Sequence, residues 1–169
     1  RPVVPGLGIY FLSPEEKDWP LEDITRELYF TRSLDLGGQA FFRYAYLNDN
    51  HKGLFDFLKD VYYPFPALPS ACNSLDSIPP ERPENLHKSR EAQTYVLRWS
   101  PSVDNLCGKD VRYNVYASRT SPVDIASARN LIAVNVDSCS LPINEEFCAL
   151  NGIGFAVTAI DRFGNESEP

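Results

Sequence analysis

The chain has no apolar run long enough to cross a bilayer, which takes about 20 residues. Its longest continuous stretch, Val3 to Leu12, is short and interrupted by Pro5, Gly6 and Gly8. No membrane span is expected. Histidine is nearly missing, with His51 and His87 alone, and Cys72, Cys107, Cys139 and Cys148 include no C-x-x-C pair. Zinc-ligand spacing is therefore absent, and neither a metal nor a cofactor is expected. There is no G-x-S-x-G elbow and no phosphate loop, and Gly6-Leu-Gly8 lacks the third glycine of a dinucleotide fingerprint. Basic charge is in deficit. Lys and Arg number 16 against 23 Asp and Glu, a net charge of -7 that repels phosphate backbones and argues against nucleic acid as a partner.

What is present divides the chain in two. From Val3 to Leu12 the residues are apolar without alternation, as in a parallel strand covered on both faces. Pro20 then opens a helix whose Glu22 and Asp23 suit the positive end of its dipole, and Leu21, Ile24, Leu28, Thr31 and Leu34 recur at helical spacing until Gly37-Gly38. The pattern repeats with an aromatic strand over Gln39–Tyr46 and a helix capped by Asp49 or Asn50 that carries Leu54, Leu58, Val61 and Tyr62. Strand–helix–strand–helix is the unit of an α/β barrel or an open α/β sheet. Two such units leave apolar faces only partly covered, and 14 of the 21 aromatic residues lie at or before Phe65. Some of them are expected to face another surface, through the missing barrel portion or self-association.

Pro64, Pro66, Pro69, Pro79, Pro80 and Pro83 disallow regular structure and mark a connector. Behind it the spacing predicts strands near Glu84–Lys88, Thr94–Trp99, Arg112–Ala117, Leu131–Val136, Ser140–Ile143 and Phe155–Asp161, with turns at Asn105–Gly108 and Phe163–Asn165 and a short helical turn within Pro122–Asn130. The fold class expected is an α+β two-part chain: βαβα units at residues 1–66, a proline-rich connector at residues 67–82, and an all-β sandwich at residues 83–169. Cys139 and Cys148 are either bridged, which suits an oxidising compartment, or reduced and buried as small hydrophobes.

The back half resembles a fibronectin type III module, through Pro83-Glu-Asn-Leu86, Trp99, Tyr113-x-Val115-Tyr116 and the ending Ala159-Ile-Asp-Arg-Phe-Gly-Asn-Glu-Ser-Glu-Pro169. The resemblance implies that Trp99 and Tyr116 pack in the core and that the last strand, due after Gly164-Asn165, is short or missing, which would leave its neighbour's edge unprotected. The front half is similar to the tail of a glycosyl-hydrolase-like barrel family of secreted Bacteroidetes proteins, through Gly6-Leu-Gly-Ile-Tyr10, Trp19-Pro20-Leu21, Gly37-Gly-Gln-Ala-Phe-Phe-Arg-Tyr44 and Tyr63-Pro-Phe-Pro-Ala-Leu68. That likeness implies that the front half holds the last two units of a (β/α)8 barrel. It also implies a secreted or periplasmic location, or a lipid anchor carried by a segment ahead of Arg1.

Barrel active sites form at the carboxyl ends of the strands. Tyr10, Trp19, Arg43, Tyr44, Tyr46 and Asp49 are accordingly the candidates for substrate contact, with Ser13, Glu15, Glu16, Asp18, Asn48 and Asn50 on the same rim. Trp19 and Tyr46 could stack on sugar rings, and Arg43 could pair with an anionic or hydroxyl-rich ligand. The bland alternatives are that Trp19 staples the helix that follows it and Arg43 is an interior hydrogen-bonder. Related barrel glycosidases keep a glutamate at the end of the seventh strand, but the matching strand here ends Tyr10-Phe-Leu-Ser13, so no catalytic residue carries over. The function expected is the carboxyl-terminal portion of a glycoside hydrolase acting on polysaccharide or glycan, inactive alone, with carbohydrate met through the parent barrel. The alternative is a non-catalytic module that binds protein or carbohydrate.

Overall fold

The computed structural model describes residues 3–34, 36–68, 70–91, 94–144 and 152–169. It divides into two compact units, Arg1–Pro64 and Phe65–Pro169, so the proline-rich connector belongs with the second. The chain is a mixed α/β protein. No helix among the described residues is long and apolar enough to cross a membrane.

In the first unit, strand β1 (Gly6–Gly8) pairs in parallel with β2 (Ala40–Phe42), with Leu7 opposite Phe41, and helix α1 (Leu21–Ser33) makes the crossover. Both strands are shorter than the apolar runs predict. Gly8 turns the chain into a 3-10 helix over Ile9–Leu12, and the rings of Tyr10 and Phe11 fold so close that a Cβ on Gly8 would meet each at 3.1 Å. After Phe42, the amides of Leu47 and Asn48 donate to Tyr44 O, and a helical turn, α2 (Ala45–Asn48), replaces the rest of the expected second strand.

Pro20 caps α1 and Glu22 and Asp23 occupy its first turn. Ile24, Leu28 and Thr31 point inward, whereas Leu34 lies beyond the last turn and is exposed. The last helical stretch is irregular: a 3-10 turn over His51–Gly53, then α3 (Leu54–Phe57), then a π-type turn over Leu58–Tyr62. Asn50 holds its start through Asp56, accepting from the amide at 3.2 Å and donating to the carboxylate at 2.7 Å. Leu7, Ile9, Leu12, Ile24, Leu28, Leu54, Leu58 and Tyr62 form the core, while Val61 stays exposed. Tyr62 is anchored in it by donating to Leu28 O at 2.7 Å and by the Arg32 guanidinium 3.6 Å above its ring.

Among its described residues the second unit contains two three-stranded antiparallel sheets. One has the order β3 (His87–Glu91), β4 (Thr94–Arg98), β7 (Ser140–Ile143); the other has β6 (Leu131–Val136), β5 (Arg112–Ser118), β8 (Gly154–Ile160). The sheets share one core in which Leu97, Ile143 and Trp99 meet Tyr113, Val115, Val157 and Ala159, with Trp99 edge-on to Tyr113 at 5.4 Å. The first strand begins three residues later than expected, at His87. The helical turn narrows to Ala128–Asn130.

Central strand β5 is buried on both faces because its outer face is also covered: Tyr116 packs with Leu131 and Ala156 beneath Leu68 of the connector and Val123 and Ile125 of the β5–β6 loop. The free edge expected beside β8 is partly closed. The chain turns at Gly164 and returns, bridging Ile160 to Glu166, with the Ser167 amide donating to Ala159 O at 2.8 Å. Cys72, Cys107 and Cys139 carry free thiols, and Cys148, the partner considered for Cys139, lies outside the described residues.

Candidate functional site

The carboxyl ends of β1 and β2 carry a continuous aromatic face. The ring of Tyr10 lies 4.3 Å from that of Phe11 and meets Phe42 edge-on at 5.8 Å; Phe11 continues to Trp19 at 4.8 Å. Two cations sit on it. Arg43 lies 5.5 Å from the ring centres of both Tyr10 and Phe42, and the Lys17 amine is 4.0 Å from the centre of Phe11. Rings of this kind offer a flat apolar surface to C–H groups, and cations held over them remain free to donate to hydroxyl or carboxylate oxygens. Phe42 is 59% exposed, and Arg43 beside it is exposed too.

Local structure sets this surface. The Ser13 carbonyl accepts from the amides of Glu16 (3.1 Å) and Asp18 (2.8 Å), and the Trp19 amide donates to Phe11 O at 2.9 Å, which closes the loop and turns Trp19 back over Phe11. Lys52, reaching over from the His51–Gly53 turn, donates to Asp18 Oδ1 at 2.6 Å and to Trp19 O at 2.8 Å. Ser13 is buried in that turn, and Glu15 and Glu16 are exposed.

Of the six candidates named from the sequence, the structure brings Tyr10, Trp19 and Arg43 together through Phe11 and Phe42, two residues the sequence reading passed over. Trp19 is only half-buried and also packs on the core of the first unit, so it serves as a staple as well as a wall of the face. Tyr44 instead lines a separate apolar groove of about 480 Å³ with Leu47, Phe55, Leu58 and Tyr63. Tyr46 packs against the core and meets His51 edge-on at 5.5 Å, which takes it out of the stacking set. Asp49 is exposed and accepts from Asn48 Nδ2 at 3.1 Å, the geometry of a turn residue.

The group among the described residues able to hold a metal ion lies in the second unit. Asp76, Asp104 and Asp161 are all buried, and one carboxylate oxygen of each lies within 4.8 Å of the others. Asp104 Oδ1 accepts from the amides of Cys107 (2.6 Å) and Leu106 (3.0 Å). Burial alone would raise this carboxyl, yet those donated hydrogen bonds outweigh it and hold the group below its ordinary value. Next to it the Cys107 thiol is pushed up, first by burial and then by the Asp104 carboxylate, so it stays protonated. The three aspartates belong to three separate loops, and no spacing in the sequence marks them. No family model matches the chain, and no curated protein or solved structure matches it either.

Proposed function

We propose that this chain is the carboxyl-terminal portion of a carbohydrate-processing barrel protein, carrying its last two β/α units and an appended fibronectin type III-like sandwich. The observation that carries this reading is the aromatic face of Tyr10, Phe11, Trp19 and Phe42, with Arg43 and Lys17 upon it, at the carboxyl ends of two parallel strands. That is where barrel enzymes hold substrate, and stacked rings beside cationic donors suit a sugar's alternating C–H and hydroxyl surfaces. A two-stranded parallel sheet is itself an incomplete layer, because parallel strands occur in larger sheets covered on both faces. Exposed Tyr29, Phe30, Phe42 and Phe55 in the first unit fit a surface meant for further chain.

The fibronectin-like part of the reading rests on the strand orders β3-β4-β7 and β6-β5-β8, on Trp99 in the shared core, and on the return of the chain at Gly164. The strand ends Tyr10-Phe-Leu-Ser13 without the glutamate that barrel glycosidases keep there, so in this reading the chain alone binds glycan without cleaving it, and the parent hydrolyses glycosidic bonds.

Affinity electrophoresis of the chain through gels containing soluble polysaccharides tests this. Retardation on at least one polysaccharide is expected, weakened about 3- to 10-fold by Phe42→Ala, as the loss of one stacking ring implies. Hydrolysis by the isolated chain would overturn its silence. A parent protein inert on every glycan would overturn the carbohydrate assignment, and tight capture of a protein without retardation by any sugar would favour an interaction module built on the Tyr44 groove.

A further inference from the structure

Asp76 lies in the connector, Asp104 in the loop between β4 and β5, and Asp161 directly after β8. Their exposures are 7%, 4% and 6%. Each directs one carboxylate oxygen to its own loop: Oδ1 of Asp76 accepts from the Ile78 amide (3.0 Å), Oδ1 of Asp104 from Leu106 and Cys107, and Oδ1 of Asp161 from Phe163 (2.8 Å) and Asn165 (2.9 Å). The second oxygens are left for something else. Oδ2 of Asp76 and Oδ2 of Asp104 are buried and have no hydrogen-bond partner, and Oδ2 of Asp161 accepts a single bond, from Asn165 Nδ2 at 2.8 Å.

Buried charges occur paired or coordinated to metal, because an uncompensated one carries its full desolvation penalty. Here three carboxylates crowd together, and none of the ion pairs among the described residues includes them. The Leu106 and Cys107 amides already occupy Oδ1 of Asp104, so a cation is left to meet the unpartnered Oδ2 atoms of Asp76 and Asp104.

We infer that Asp76, Asp104 and Asp161 form a binding site for a calcium ion. All three donors are hard carboxylate oxygens, a set that disfavours zinc and softer metals. Oxygens within 4.8 Å of one another fit inside the roughly 5 Å breadth of a calcium coordination sphere. Magnesium demands a tighter octahedron and keeps several of its waters, which carboxylates this buried do not readily admit. The ion offsets two of the three carboxylate charges and fastens the connector to both loops at one end of the second unit.

Isothermal titration of calcium chloride into the full chain, stripped beforehand with EDTA, is expected to show one ion bound per chain. Thermal unfolding supplies the second readout. At a calcium concentration 100 times the dissociation constant the folded-to-unfolded ratio should rise about 100-fold, a midpoint increase on the order of 10 °C, with magnesium giving much less. Asp76→Asn keeps the acceptor for Ile78 and removes one charge. It should abolish the calcium response while leaving the EDTA-treated protein at least as stable as the unsubstituted chain. Asp104→Asn should behave alike and serves where the first variant fails to fold. Absence of calcium heat and of any midpoint shift would overturn the site, as would a full calcium response in both variants. An equal response to magnesium would overturn the choice of ion.

Discussion

The Tyr116 hydroxyl donates to Glu166 Oε1 at 2.6 Å, across the outer face of the sheet that holds β5 and β8. The same oxygen accepts from Asn114 Nδ2 at 3.0 Å and from the Thr158 hydroxyl, so one carboxylate satisfies three fully buried polar side chains. Glu166→Ala leaves all three without their acceptor and is expected to destabilise the fold by about 3 kcal/mol or more, whereas Tyr116→Phe removes one donor and costs about 1 kcal/mol. Urea midpoints at pH 7 check both.

The same bond gives a pH signature. Burial, and then the Glu166 carboxylate, push the Tyr116 phenol well above its ordinary value of 10.0. Above about pH 10 the unfolded chain releases this proton while the folded chain keeps it, so stability falls as pH rises; below that value the contribution is fully present. Tyr113 is also raised, through burial and its contact with Cys139, and adds to the slope. Urea unfolding of Tyr116→Phe between pH 8 and pH 11 should show a shallower decline than the unsubstituted chain.

Each unit holds one of the two tryptophans, Trp19 in the first and Trp99 in the second. In a Trp99→Phe background, Trp19 fluorescence reports the first unit alone. Leu28 is fully buried in that core, and Leu28→Ala should lower the Trp19 transition by about 3 kcal/mol.

Thiol reactivity separates two further positions. Cys72 is exposed, while Cys107 is partly covered and raised by burial and by Asp104. Alkylation at pH 8, read peptide by peptide by mass spectrometry, should modify Cys72 well before Cys107, and raising the pH should narrow the gap.

How far the residues announced this structure varies by element. Helix α1 was legible because Ile24, Leu28 and Thr31 repeat at one period and Pro20, Glu22 and Asp23 mark its start. Leu131–Val136 and Ser140–Ile143 fall where apolar and β-branched runs between turns put them. Val3–Leu12 misled, since an apolar run reads alike whether it extends or coils, and the crowding of two rings onto Gly8 is a tertiary event. At the aromatic face, Tyr10, Trp19 and Arg43 could be inferred from their place after a strand. Phe11 and Phe42 were missed because neighbouring aromatics in an apolar run look like core. The aspartate cluster was invisible for a different reason: Asp76, Asp104 and Asp161 meet only once the sheets are assembled.

The link between Cys72 and Phe163, an amide donating to a carbonyl at 2.7 Å, ties the beginning of the second unit to its end. Gly164 sits against Ala71 at the same place, so tightly that a Cβ there would come within 3.1 Å of the Ala71 Cα. On the ribosome the connector emerges long before Phe163 exists, and Leu68 waits for the sheet of Tyr116 and Ala156 that it will cover. Vectorial folding of this unit is therefore denied: its closing contacts span nearly its whole length, and a nascent chain halted before β8 should remain protease-sensitive and dependent on chaperones.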